Sequence, residues 1–130
     1  MRTLVHAALI AGLVTAPLMP AAAKVESGEA KLTRLIAGRT AGKPVDCINL
    51  TFAGRESEKL PGIGMAYRQG TTWYVSRFDD CPRLRDDTIV VTKLHSSQLC
   101  RGDIADLRMA GPDLPVGSCI FGDFTPYTKP

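Results

Sequence analysis

The apolar residues of this chain fall into three patterns, and each predicts a different element. Near the N-terminus, Leu4 to Val14 is almost wholly apolar, broken only by His6 and Gly12. This run of about 11 residues is shorter than the roughly 20 needed to span a bilayer as a helix. Met1-Arg2 puts a positive charge before it, Pro17 and Pro20 end it, and Ala21-Ala22-Ala23 supplies small residues for cleavage. Together they predict a cleaved export signal over residues 1–23, with an uncleaved membrane anchor as the rival reading. From Ser27 to Ala37 the spacing becomes helical. Leu32, Leu35 and Ile36 fall at i, i+3 and i+4, with Lys31 and Arg34 on the other side. Ser27 can cap this helix and Gly38 can end it. It is too short to be stable alone and must pack on something.

The third pattern, alternation, covers the rest of the chain. Val45 to Phe52 places Ile48, Leu50 and Phe52 on one face and Cys47, Asn49 and Thr51 on the other. Ala53 to Lys59 reads as a polar, charged connection. Ile63 to Arg68 and Thr71 to Phe78 form the clearest hairpin, turning at Gln69-Gly70, and the second arm is rich in β-formers. Thr88 to Leu94 is another strand, and its Ile89-Val90-Val91 run suggests burial on both faces. Asp103 to Met109 alternates again, with Ile104 less clearly in phase than Leu107 and Met109. Ser118 to Phe124 is the last strand. The expected fold is mainly β with a minor helical part: a cleaved leader, one short helix, then about six antiparallel strands forming a small barrel or sandwich.

Cleavage after Ala23 leaves Lys24 to Pro130, 107 of the 130 residues, enough for a single β-rich domain. Of the 16 Lys and Arg, Arg2 leaves with the leader. The other 15 face 13 acidic residues and are interleaved with them. Such a scattered balance is not a nucleic-acid footprint, and no second apolar segment can cross a membrane. All four cysteines, Cys47, Cys81, Cys100 and Cys119, lie in the mature part. They are too widely spaced for the close pairs of a zinc site, and they form no C-x-x-C redox motif. An even count in a small exported domain points to two disulfides. Sequence alone allows three pairings. The preferred one joins Cys47 to Cys119, tying the first strand to the last, and Cys81 to Cys100, closing a local excursion.

Four segments carry a resemblance: AGRTAGKPVDCINL from Ala37, YVSRFDDCPRL, SSQLCRGDI and GSCIFGDFTPY. The set is similar to a family of small exported four-cysteine proteins of Gram-negative bacteria, a domain of unknown function. The resemblance covers nearly the whole mature chain, and the cysteine frame is its most specific part. It implies an envelope location and a compact, disulfide-bonded, mostly β domain, and it implies no catalytic or ligand residues.

Candidate chemistry is sparse. His95 is the only histidine of the mature chain, and it follows a strand at an expected turn. Ser96 and Ser97 adjoin it, but no nucleophile elbow frames them. Asp79, Asp80, Asp86 and Asp87 surround Cys81 with Arg77, Arg83 and Arg85 among them. This spacing lacks a calcium-loop pattern and reads as a salt-bridged loop open to partner recognition. Arg101-Gly102-Asp103 spells an adhesion tripeptide, a match cheap by chance. Tyr67 and Trp73 on the hairpin are candidates for a sticky aromatic surface, although one face of that hairpin must be core. Asp79, Asp80, Arg83 and Arg85 complete the candidate partner-binding set.

These observations predict a periplasmic or secreted protein with no cofactor, metal or catalytic set. Its expected role is binding or structural, toward an unidentified envelope protein or other envelope component. The alternative is an inhibitor of an envelope or secreted hydrolase, presenting the Asp79–Asp87 or Gly111–Gly117 loop. A hydrolytic enzyme using His95 is the less favoured third reading.

Overall fold

The structure, a computed structural model, describes residue 12 and residues 16–53 and 56–130. The apolar run of the expected leader therefore lies outside the described residues, apart from Gly12. The described elements, in order, are α1 (Gly28–Ile36), β1 (Thr40–Ala41), β2 (Cys47–Asn49) and the single turn α2 (Leu50–Ala53). They are followed by β3 (Ser57–Leu60), β4 (Gly64–Gln69), β5 (Thr72–Phe78), β6 (Thr88–Thr92), β7 (Gln98–Cys100), β8 (Ile104–Met109) and β9 (Pro115–Thr128). The expected mainly β architecture is present. One antiparallel sheet runs β3-β4-β5-β9-β8-β6, β1 flanks β9, and β2 pairs with β7 as a separate two-stranded ladder. The sheet curls until its edges nearly meet. Lys59 on β3 reaches across, and its ammonium donates to the carbonyls of Asp86 and of Thr88 at the start of β6.

Helix α1 starts where its sequence predicts. The Ser27 hydroxyl accepts from the Ala30 N–H at 3.2 Å, satisfying one of the donors a helix start leaves free. Leu32 and Leu35 are buried against Leu60, Ile63, Ala66, Trp73 and Val75. The helix lies close because Gly28 has no side chain: a Cβ there would sit 2.0 Å from the Pro61 carbonyl oxygen. On the other face of the sheet, Met65, Tyr67 and Phe78 pack with Leu84, Leu107, Phe121 and Phe124. Phe78 meets Phe121 edge-on, with ring centroids 4.8 Å apart, a favoured aromatic geometry.

Strand β9 holds the two parts of the sheet together. Its first half pairs with β8, placing Ile104 opposite Ile120 and Ala105 opposite Cys119. Its second half pairs with β5, placing Ser76 opposite Phe124 but Phe78 opposite Phe121. One residue on β5, Arg77, thus faces two on β9, a β-bulge at Gly122 and Asp123. The bulge turns both Phe121 and Phe124 inward, which strict alternation forbids. Gly122 is needed there, since a Cβ would approach the Arg77 carbonyl oxygen to 2.5 Å. The fully buried Ser76 hydroxyl donates to the Gly122 carbonyl at 2.9 Å.

Two expectations about strands need correction. The polar stretch before Leu60 contains β3, whose Glu58 and Lys59 are half-buried at the sheet edge. The expected Val45–Phe52 strand is cut to three residues and turns into α2.

The disulfide pairing also differs from the preferred one. Cys47 joins Cys100, and Cys81 joins Cys119. Strand β2 does not enter the main sheet. It pairs with β7 so that Cys47 lies opposite Cys100, with Cα atoms 4.0 Å apart. Cys119 points inward from the first half of β9, where it meets the loop that leaves β5. The Cys47–Cys119 and Cys81–Cys100 bridges are thereby excluded. The observed bridges close chain separations of 53 and 38 residues, each worth about 4 kcal/mol on the loop-entropy model.

Candidate functional site

The aromatic pair expected to form a binding surface is buried. Tyr67 is 6% exposed and Trp73 9%. Tyr67 lies opposite Tyr74, and Trp73 lies opposite Arg68. The two rings therefore point to opposite faces of the sheet, one into each hydrophobic cluster. Burial pushes the Tyr67 phenol well above the usual tyrosine range, because ionising it would strand a charge among aromatic rings. Both residues build the core and leave the candidate binding set.

The Asp79–Asp87 loop is anchored at several points. Cys81 is bonded to Cys119, Leu84 is buried, and the Leu84 carbonyl accepts from the Gly62 N–H at 2.8 Å. Arg85 pairs with Asp87 at 2.8 Å, lowering the Asp87 carboxyl, and Lys31 lies 3.7 Å from Asp86. The Arg83 guanidinium donates to the Val116 carbonyl. Asp86 and Asp87 thus face separate cations. Asp79, Asp80, Arg83 and Arg85 stay exposed. Arg83 and Arg85 line a shallow hollow of ≈ 240 Å³ with Pro82, Met109 and Val116.

The adhesion-like tripeptide is a tight turn. Gly102 has φ +89°, and the Asp103 carboxylate accepts from the Cys100 N–H at 2.8 Å. Arg101 reaches Asp123 at 3.2 Å. Its side chains hold the turn closed over the start of β8.

The most distinctive surface is the outward face of β6, β8 and β9. On the inner face, Ala105, Leu107, Cys119 and Phe121 are buried. Their neighbours point to solvent: Ile104 is 57% exposed, Ile120 55%, Ile89 45% and Val91 36%. Ile104 and Ile120 are direct cross-strand partners. Val91 lies opposite Asp106 and Ile89 opposite Arg108. The expectation that Ile89-Val90-Val91 is buried on both faces is thus overturned. Only Val90 packs on the core, because among the described residues no helix covers the outward side.

At one end of this face Ile104 and Ile120 form the floor of a hollow of ≈ 560 Å³, with Lys93, His95, Gly102, Asp103, Asp106 and Ser118 around it. Ser118 donates to the Asp106 carboxylate at 2.8 Å. A serine, a histidine and an aspartate thus share one hollow. Their bonding is not that of a nucleophile and base, since the serine proton is committed to the carboxylate and among the described residues His95 has no hydrogen bond to Ser118. The hollow combines a hydrophobic floor with basic side chains, Lys93 and His95, and acidic ones, Asp103 and Asp106. Reading by periodicity missed it. The only trace in the sequence is the poor phase of Ile104.

A scan against protein-family models, a search of curated proteins and a search of solved structures each found no match to this chain. Among the described residues no helix is long and apolar enough to cross a membrane.

Proposed function

We propose that this is an exported, periplasmic or secreted, binding domain of the cell envelope that captures its partner on the Ile104–Ile120 face. The carrying observation is the exposure of this cross-strand isoleucine pair, more than half open to solvent, on a disulfide-stapled sheet. Contiguous apolar surface rimmed by charge is costly to leave in water and marks interaction sites. The two disulfides fit an oxidising compartment. The chemistry that suits the hollow is an aliphatic or aromatic group flanked by an acidic and a basic group, as on a protein surface. Catalysis is not part of this reading.

The test is to express the full chain with a photo-crosslinking residue in place of Ile104, then to fractionate the cells. The expected product lies in the envelope or medium, is shorter by the leader, has four oxidised cysteines, and forms a discrete cross-linked species. An additional Ile120→Asp substitution should abolish that species. A full-length, reduced chain in the cytoplasm would overturn the localisation, and cross-linking indifferent to Ile120→Asp would overturn the site.

One observation favours a second reading, inhibition of an envelope or secreted hydrolase. The Asp79–Asp87 loop is fixed by Cys81 and by buried Leu84 while Pro82, Arg83 and Arg85 stay exposed, and a preorganised loop binds with less ordering cost. Stoichiometric inhibition lost on Arg83→Glu would favour it over the first.

A further inference from the structure

We propose that two copies of this chain join edge to edge through β6, antiparallel, about a two-fold axis at Val90. This edge adjoins the Ile104–Ile120 hollow and shares Lys93 with it, but the inference does not depend on what that hollow binds.

The two edges of the sheet differ. Edge strands normally carry devices that discourage pairing, such as inward charges, lysines, prolines or bulges. Strand β3, Ser-Glu-Lys-Leu, has such protection in Glu58 and Lys59. Strand β6 is Thr-Ile-Val-Val-Thr, with no charge and no proline, and its pairing with β8 runs from Thr88 to Thr92 without a bulge.

The backbone groups of β6 point the right way. The Asp87 carbonyl accepts from the Ala110 N–H at 2.8 Å, on the β8 side. Thr88 turns the opposite way: its N–H goes to the Arg85 carbonyl and its own carbonyl receives Lys59. By the two-residue period of an antiparallel ladder, Val90 and Thr92 also turn their N–H and C=O groups away from β8. Among the described residues neither has a backbone partner on that side.

The occupant is set by the sequence of the strand itself. Paired antiparallel about Val90, Thr88 faces Thr92 of the second copy and Ile89 faces its Val91. One step further, Asp87 faces its Lys93. The strand is thus self-complementary: acidic before, basic after, β-branched throughout. The same pairing covers Ile89 and Val91, the exposed apolar residues nearest this edge. Val90 would exchange two hydrogen bonds with its counterpart, and each Thr92 N–H would reach a Thr88 carbonyl. That carbonyl already holds Lys59, but it has a second lone pair.

The test uses the mature protein in sedimentation equilibrium, with amide hydrogen exchange read at low and high concentration. The expected result is a reversible dimer whose formation protects the Val90 and Thr92 amides. Lys93→Glu should weaken it at least tenfold, and adding Asp87→Lys should restore it. Far-UV circular dichroism of each variant separates lost pairing from lost fold, and Lys93 and Asp87 are both exposed. A chain that stays monomeric at millimolar concentration would overturn the proposal. So would a dimer whose Val90 amide stays unprotected, or whose affinity ignores both charge changes. Protection of the same amides only on adding an extended peptide of another protein would also overturn it, and would identify a different occupant for the edge.

Discussion

The two halves of the curled sheet carry similar side chains and treat them differently. In β3–β4–β5 both faces carry buried apolar residues. Ala66, Trp73 and Val75 lie under Leu32 and Leu35 of α1, while Met65, Tyr67 and Phe78 face the interior. In β6–β8–β9 the interior face is equally well filled by Ala105, Leu107, Cys119 and Phe121, but Ile89, Val91, Ile104 and Ile120 point into solvent. Strand composition does not separate the halves, because branched apolar residues occupy outward positions in both. What separates them is α1, laid over one half by the contact of Gly28 with Pro61. An outward apolar residue is core only where something distant in sequence covers it, and an uncovered one is available to a partner.

That contrast can be broken most strongly at the staple joining the halves. Replacing Cys81 and Cys119 together by Ala removes a closure worth about 4 kcal/mol on the loop-entropy model. Denaturant unfolding should show a loss of that order, and a change below about 1 kcal/mol would show that the loop is held by Leu84 instead. Next in size is the covered half. Leu32→Ala should cost about 3 kcal/mol, from lost transfer energy plus a cavity, read from the denaturation midpoint. A cost near zero would mean that α1 is not the cover.

A smaller effect appears only in alkali. In the folded chain burial raises the Tyr67 pKa above the ordinary 10.0. The unfolded phenol thus loses its proton first, and the stability that Tyr67 contributes is complete below pH 10 and lost as pH rises further. Lys59, whose burial lowers its pKa from 10.5, has the opposite sign: stability rises as pH approaches 10.5. The Tyr67 slope should therefore be sought above pH 10.5, where Tyr67→Phe should flatten it. The smallest effects belong to the bare half. Ile104→Ala and Ile120→Ala should each change stability by less than about 0.5 kcal/mol, as for surface positions free of special features. A loss as large as that of Leu32→Ala would show that a cover exists.

Much of this architecture is legible in the sequence, because local periods are strong where one face alone is buried. The helix beginning at Gly28 and the β4–β5 hairpin follow from the spacing of Leu32, Leu35 and Ile36 and from the alternation of Thr72–Phe78. Strands β3 and β7 escape it because they are short and carry Glu58, Lys59 and Gln98, residues that a strand tolerates only beside a partner. The cysteine pairing depends on those same short strands, since Cys100 ends β7. Tyr67 and Trp73 stand out as a surface because aromatics cluster there, but coverage is not a local property. The exposed Ile104–Ile120 pair stays hidden for the same reason.

The bulge at Gly122 has a consequence for how this chain tolerates change in length. It sets the phase between the halves, so that Ile120 points outward before it and Phe124 inward after it. Closing the bulge without shortening the chain would invert everything downstream, bringing Thr125 and Tyr127 toward the interior and turning Phe124 out, whereas deleting its extra residue would leave Phe121 and Phe124 both inward. A one-residue deletion between Gly111 and Leu114 would likewise only redraw a connection. A one-residue deletion is therefore absorbed at the bulge or in the connection, and inverts the packing where it falls in the regularly paired part of β9.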